Sequence, residues 1–208
     1  MTKSGHAWVA DFMGDPALML MYQTDLSVRD SDASVEGILA LERGMPVPYQ
    51  NRPQFVWPDK RAKHRNDLPP LFCSNGFWLV SQRVADIMRQ FDLGDGDLHA
   101  VEVREKDGKK RLDETRFCWI FGNRKDALDS DASANLRLFR DVPGEDRRLL
   151  ASKPADDDVA LAPGAALGPD VWLEKRLKKA VFLCGALGDA LVSDGLGKAL
   201  RLTRVRIL

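Results

Sequence analysis

The sequence predicts an α+β fold: a mixed, mainly antiparallel sheet with a few packed helices and a duplicated strand-helix-strand unit. Three observations predict it. The first is internal similarity: residues 77–103, FWLVSQRVADIMRQFDLGDGDLHAVEV, have a worn copy at 180–207, AVFLCGALGDALVSDGLGKALRLTRVRI. Without gaps, Leu79, Val80, Val84, Asp86, Met88 and Leu93 stand against Phe182, Leu183, Leu187, Asp189, Leu191 and Leu196. After a one-residue slip, Leu98, Val101 and Val103 stand against Leu202, Val205 and Ile207. The second is periodicity, since each copy passes from a short apolar run to apolar positions at helical spacing, then a Gly, then alternation. The third is turn chemistry between short apolar runs elsewhere, which predicts hairpins rather than long helices.

Taken in order, AWVADF (7–12) and ALMLMY (17–22) flank Gly14, Asp15 and Pro16 and predict an edge hairpin. DSDASVEGILALERG has an Asp or Ser cap, Val35, Ile38 and Leu39 at i, i+3 and i+4, and Gly44 beyond the last turn, which predicts a helix with that stripe buried. Residues 45–70 carry six prolines, each fixing φ and removing a donor, so they predict a loop with one strand, QFVW. In the first copy Ser81 is the N-cap and Val84, Ile87, Met88 and Phe91 the buried stripe, with Gly94 and Gly96 ending the helix. VEVREKDGKKRL predicts a hairpin in which Asp107 and Gly108 both take positive φ, its return strand running to RFCWIF. Residues 123–135 read as loop or short helix, LRLF as a strand, and 141–169, rich in Asp, Pro, Gly and Ala, as the segment most open to motion. The pentapeptide DSDAS occurs at 30–34 and 129–133 with unlike flanks, which reads as helix-start chemistry used twice.

At 208 residues the chain can bury its own core as a single domain, within which residues 1–50 can form a small N-terminal subdomain and 45–208 the main region. Its 44% apolar and 30% charged residues are those of an ordered globular protein. Basic and acidic residues balance at 31 each, so no long-range field draws the chain to nucleic acid or a membrane. The balance is uneven: residues 1–50 hold 3 basic and 7 acidic side chains, residues 171–208 hold 8 and 3. Cys73, Cys118 and Cys184 form no CxxC pair and sit among apolar neighbours, as small hydrophobes do in a reducing compartment. No stretch has the length of a membrane span or the pattern of a secretory leader, so a cytoplasmic protein is expected.

The search for chemistry predicts no catalytic, cofactor or metal residues. His6, His64 and His99 are scattered, and HExxH, GxSxG and P-loop patterns are absent. Asp92, Asp95 and Asp97 lack the order and the twelfth-position Glu of a calcium loop. Gly94, Gly96, Gly195 and Gly197 follow helices, where they cap, rather than precede them, where anions bind. Trp78, Trp119 and Trp172 read as core anchors. Trp57, in the proline-rich stretch with Arg61 and Arg65, reads as an exposed docking surface, beside a basic cluster of Lys60, Arg61, Lys63 and Arg65. The run Asp156, Asp157 and Asp158 is a second candidate, suited to a basic partner. An alternative is a small enzyme or nucleic-acid-binding protein with a dispersed site, for example Asp86, His99 and Glu102 converging in a cleft.

Four segments in succession, FWLVSQRVADIM, HAVEVREKDGKK, RFCWIFGNRKDALD and GPDVWLEKRLKKAVFLCGALGDAL, resemble a bacterial family first catalogued as a domain of unknown function and then assigned as immunity proteins of polymorphic toxin systems. Ser81 to Met88, Asn123 to Asp129 and Asp170 to Leu191 carry the resemblance, over roughly residues 45–208. At Cys184, Gly185 and Ala186 this chain departs from the Ser-Glu-Arg of the family's second helix start. The resemblance implies a non-enzymatic protein, without cofactor, that binds and neutralises a cognate toxin domain. It carries over no binding residues and no oligomeric state.

Overall fold

The computed structural model describes residues 5–62, 65, 67–139, 147–150 and 154–208. Its first strands are β1 (His6–Ala10), β2 (Tyr22–Thr24), β3 (Phe55–Pro58), β4 (Leu71–Ser74), β5 (Phe77–Ser81), β6 (Asp97–Arg104) and β7 (Arg111–Ile120). Short strands follow: β8 (Arg124–Lys125), β9 (Leu128–Asp129), β10 (Leu136–Leu138), β11 (Arg148–Leu150) and β12 (Ala160–Leu161). The last are β13 (Val171–Glu174), β14 (Val181–Cys184) and β15 (Leu202–Ile207). The helices are α1 (Asp25–Arg29), α2 (Ser31–Glu42), α3 (Gln82–Met88) and α4 (Gly185–Ser193), none long and apolar enough to cross a membrane. Mixed sheets with a minority of helix make the fold α+β.

Two compact units divide the chain. A central unit holds Asp15–Gln90 and Asp95–Gly122, and a terminal unit holds Met1–Gly14, Phe91–Gly94 and Asn123–Leu208.

In the central unit the strand order is β2-β3-β6-β7-β5-β4, antiparallel except for β3 beside β6. Ser81 caps α3, its Oγ accepting the Val84 N–H at 3.4 Å, a bond type whose loss costs about 1 kcal/mol. The helix buries Val84, Ala85 and Met88, and Phe91 lies beyond its end. The β6–β7 hairpin forms where expected, but Gly108 takes positive φ (70°) and Asp107 does not. Gly108 N–H donates to Glu105 O and Glu105 N–H to Lys110 O, so the loop is longer than the two-residue turn expected. The expected stripe of α2 is also corrected. This helix buries Ser34, Gly37 and Leu41 while Val35 and Leu39 stay 53% and 41% exposed. A Cβ on Gly37 would lie 2.4 Å from Asn51 O, so close packing selects the small residues for the inner face.

In the terminal unit the order is β8-β13-β14-β1-β15-β12-β9, parallel where β13 meets β8 and β15 meets β12. The edge hairpin expected for 7–22 does not form: β1 lies between β14 and β15, and residues 17–22 belong to the central unit. Two unsatisfied ladder edges outweigh a short turn, because every buried N–H and C=O needs a partner. Trp172 and Phe182 stack at 5.6 Å in a core with Val9, Leu161 and Val205. Cys184 Sγ accepts the Leu187 N–H at 3.4 Å and so caps α4 as Ser81 caps α3, which leaves Cys184 half-buried while Cys73 and Cys118 are buried. The second DSDAS starts no helix; Asp129 instead accepts the N–H groups of Asp131 and Ala132 in a turn.

Read along β4-β5-β7-β6-β3-β2 and along β13-β14-β1-β15-β12-β9, the pair senses are the same: three antiparallel, one parallel, one antiparallel. In the first, Ser81 pairs with Arg116, which pairs with Val101; in the second, Cys184 pairs with Ala7, which pairs with Val205.

Candidate partner-binding face

Strand alternation builds an open face on the central unit. Phe55 pairs with Glu102 across the β3–β6 ladder, so Phe55 and Trp57 share a face with Ala100, Glu102 and Arg104, while Val56, Val101 and Val103 point into the core. The Phe55 and Trp57 rings pack at 5.5 Å, and the Arg104 guanidinium carbon lies 3.4 Å over the Phe55 centroid. Arg104 Nη2 donates to Glu102 Oε2 at 2.9 Å and Arg111 Nη1 to Glu102 Oε1 at 3.5 Å, so one carboxylate holds two guanidinium groups beside the aromatic pair. A cavity of about 440 Å³ opens here, lined by Phe55, Ala100, Glu102, Arg104, Arg111 and Thr115 among others.

An adjoining groove of about 390 Å³ shares Arg104 and adds Tyr22, Pro58, Ala62, Arg65, Lys106 and Leu112. Burial and the Glu114 carboxylate push the Tyr22 phenol up. The loop on the groove's rim is held at both ends. Asp59 accepts from the Arg61 N–H (2.9 Å), from Arg61 Nε (3.2 Å) and from Gln23 (3.1 Å), bonds that, led by the Arg61 N–H, bring its carboxyl down to about 2. Farther along, the buried Arg116 donates to the carbonyls of Leu68 and Pro69 and pairs with Glu114. A buried guanidinium is tolerated because these acceptors satisfy it.

The structure gathers Trp57, Arg61 and Arg65 into the central unit, with Trp57 half-buried on a strand and the Arg61 side chain 81% exposed. Lys63 and His64 lie outside the described residues, as do parts of the 141–169 segment. Asp156, Asp157 and Asp158 belong to the terminal unit and have structural work there. Asp156 accepts the Arg204 N–H (2.9 Å), Asp157 pairs with the Arg204 side chain (2.7 Å), and Asp158 accepts from Ala155 N–H and Asn135. The residues of the enzyme alternative have separate surroundings. Asp86 bonds Gln82 and Arg89 on its own helix, whereas His99 and Glu102 stand on opposite faces of β6. Among the described residues no three His, Cys, Asp or Glu side chains cluster to hold a metal. Sequence reasoning missed Arg104, Arg111 and Tyr22; the outward alternation of VEVR was a signal for Arg104, but its pairing with FVW joins strands about forty residues apart.

A model of the immunity protein family (Imm11) matches residues 15–201. The chain belongs to this family. The Imm11 match spans the whole of the face described above, the acidic run, α3 and α4. β1 and β15, at the centre of the terminal sheet, fall outside it. No curated protein matches the chain in sequence.

Proposed function

We propose that this protein binds a cognate toxin domain stoichiometrically in the cytoplasm and neutralises it by covering its active site or a surface it needs, as an inhibitor in competition between bacteria rather than an enzyme. The observation that carries this reading is membership of an immunity protein family over residues 15–201. The docking face is the open sheet surface of the central unit, with Trp57 and Arg65 as anchors, because half-buried aromatics beside guanidinium groups are where interfaces concentrate binding energy. The run Asp156–Asp158 serves a basic toxin as a secondary contact. We read the two units as copies of one ancestral unit; support comes from the matched order and sense of six strands and from cross-strand registers that set Ser81 against Cys184 and Val101 against Val205, as the sequence copies do.

The test is co-expression with the adjacent toxin gene, followed by co-purification and measurement of the complex mass, expected at one copy of each. Trp57→Ala and Arg65→Glu are expected to weaken the complex about tenfold or more, the size of a hot-spot loss. Unprotected cells with no complex would sink the function; an unaffected complex with both variants would sink the face.

A further inference from the structure

The central unit turns from β4 to β5 through two residues, Asn75 (φ 45°) and Gly76 (φ 86°). At the matched place the terminal unit turns from β13 to β14 through Lys175, Arg176, Leu177, Lys178, Lys179 and Ala180, four of the six cationic. This longer turn is built into the unit. Leu177 is buried, Lys178 N–H donates to Arg148 O at 2.9 Å, Arg148 N–H donates to Arg176 O at 2.7 Å, and Lys175 and Arg176 pair with Asp126. The far end of the turn lines a cavity of about 320 Å³, where Lys178 and Lys179 join Arg137 and Arg201, with Leu149 paired beside Arg137 on one face of the β10–β11 ladder.

Among the described residues lining that cavity, four are cations and one, Asp11, is a carboxylate. The backbone gives a second indication. Lys179 (φ 58°) and Arg201 (φ 53°) are both in the left-handed region, where a Cβ is strained. By register, Lys179 stands where the central unit has Gly76, the residue that this conformation favours. Strain kept at two cationic positions of one cavity points to a use for their side chains.

We propose that this cavity is a phosphate-binding site, with the phosphate on Lys178, Lys179, Arg137 and Arg201 and an attached organic group over Leu149. Four cations around so small a space suit an anion with more than one charge. A phosphate supplies that charge and oxygens enough for several donors, which a single carboxylate does not. The site is independent of toxin neutralisation.

Titration of the full chain at low salt with sodium pyrophosphate, with ADP and with citrate, followed calorimetrically and by amide chemical shifts, tests it. Pyrophosphate is expected to shift the amides of residues 175–179, ADP to bind more tightly than pyrophosphate, and citrate to bind about tenfold more weakly. Lys179→Gly is expected to weaken phosphate binding about tenfold with Tm unchanged or raised, since it removes charge and strain together. Arg137→Ala, on a different strand, is expected to weaken it likewise. Citrate binding as tight as pyrophosphate, no shifts in the turn, or unchanged binding by both variants would overturn the site. ADP binding no tighter than pyrophosphate would overturn the role of Leu149.

Discussion

Gly188 decides how closely α4 meets β1. A Cβ there would lie 2.0 Å from Trp8 Cδ1, and the helix beside it presents Asp189, which accepts from Trp8 Nε1 at 2.9 Å and bonds His6 Nε2 at 3.0 Å. Gly188→Ala is expected to destabilise the protein by about 2–3 kcal/mol in urea titration, the cost of overpacking against the Trp8 side chain. A loss under about 0.5 kcal/mol would mean that α4 shifts freely on the strand. His99 offers a pH test. Burial lowers its pKa from the usual 6.5, Arg52 adds to this, Asp97, Asp25 and a bond to the Pro53 carbonyl oppose it, and the Tyr49 ring packs on it edge-on. Since the folded state takes up this proton less readily than the unfolded state, the contribution is present above pH 6.5 and is lost as pH falls below that toward the folded pKa. His99→Phe should therefore flatten the decline of the urea midpoint between pH 6.5 and the acid limb; an unchanged decline would assign it to other groups. At this scale the Ser81 cap was legible, because capping is a local bond three residues long, whereas the capping by Cys184 was not, because a thiol is an uncommon acceptor.

The element that sequence reasoning placed least well is β1. Its apolar residues were plain in AWVADF, but the strand pairs with β14 and β15, more than 170 residues away, rather than with the run that follows it. Ladder bonds join backbone groups that carry no side-chain identity, so a strand's neighbours are not written in its own residues. Deleting residues 1–10 should open the terminal sheet at its centre. Hydrogen exchange is expected to show the β14 and β15 amides losing protection while those of β5, β6 and β7 keep theirs; retained protection in β14 and β15 would mean that the two strands close on each other. The helix α2 shows a related limit. Its existence followed from cap and spacing, yet Gly37 and Ser34 face inward because the chain at Asn51 comes close, a fact about a neighbour rather than about the helix.

Over the whole molecule, the order of segments makes the two units unequal in covalent terms. The central unit lies within one continuous span, Asp15 to Gly122, while the terminal unit needs residues from both ends of the chain. Each has its own buried aromatics, Phe72, Phe77 and Trp119 in one and Trp172, Phe182 and Phe12 in the other. The fragment 15–122 is therefore expected to fold alone, with a dispersed amide spectrum, whereas 123–208, lacking residues 1–14 and 91–94 of its unit, is expected to give a collapsed one. A collapsed spectrum for 15–122 would overturn the independence of that core. The sequence by itself determined the α+β class, the Ser81 cap, the β6–β7 hairpin, the similarity of 77–103 to 180–207 and the resemblance to the immunity family, because each depends on residues close in the chain or on a pattern preserved within it. Only the tertiary structure decided that the first strand completes the last sheet, that Arg104 lies over Phe55, and that Lys178 and Lys179 meet Arg137 and Arg201 around one cavity. These are contacts between distant segments, selected by the burial of whole faces and the satisfaction of whole ladders, and no local run of residues carries that information.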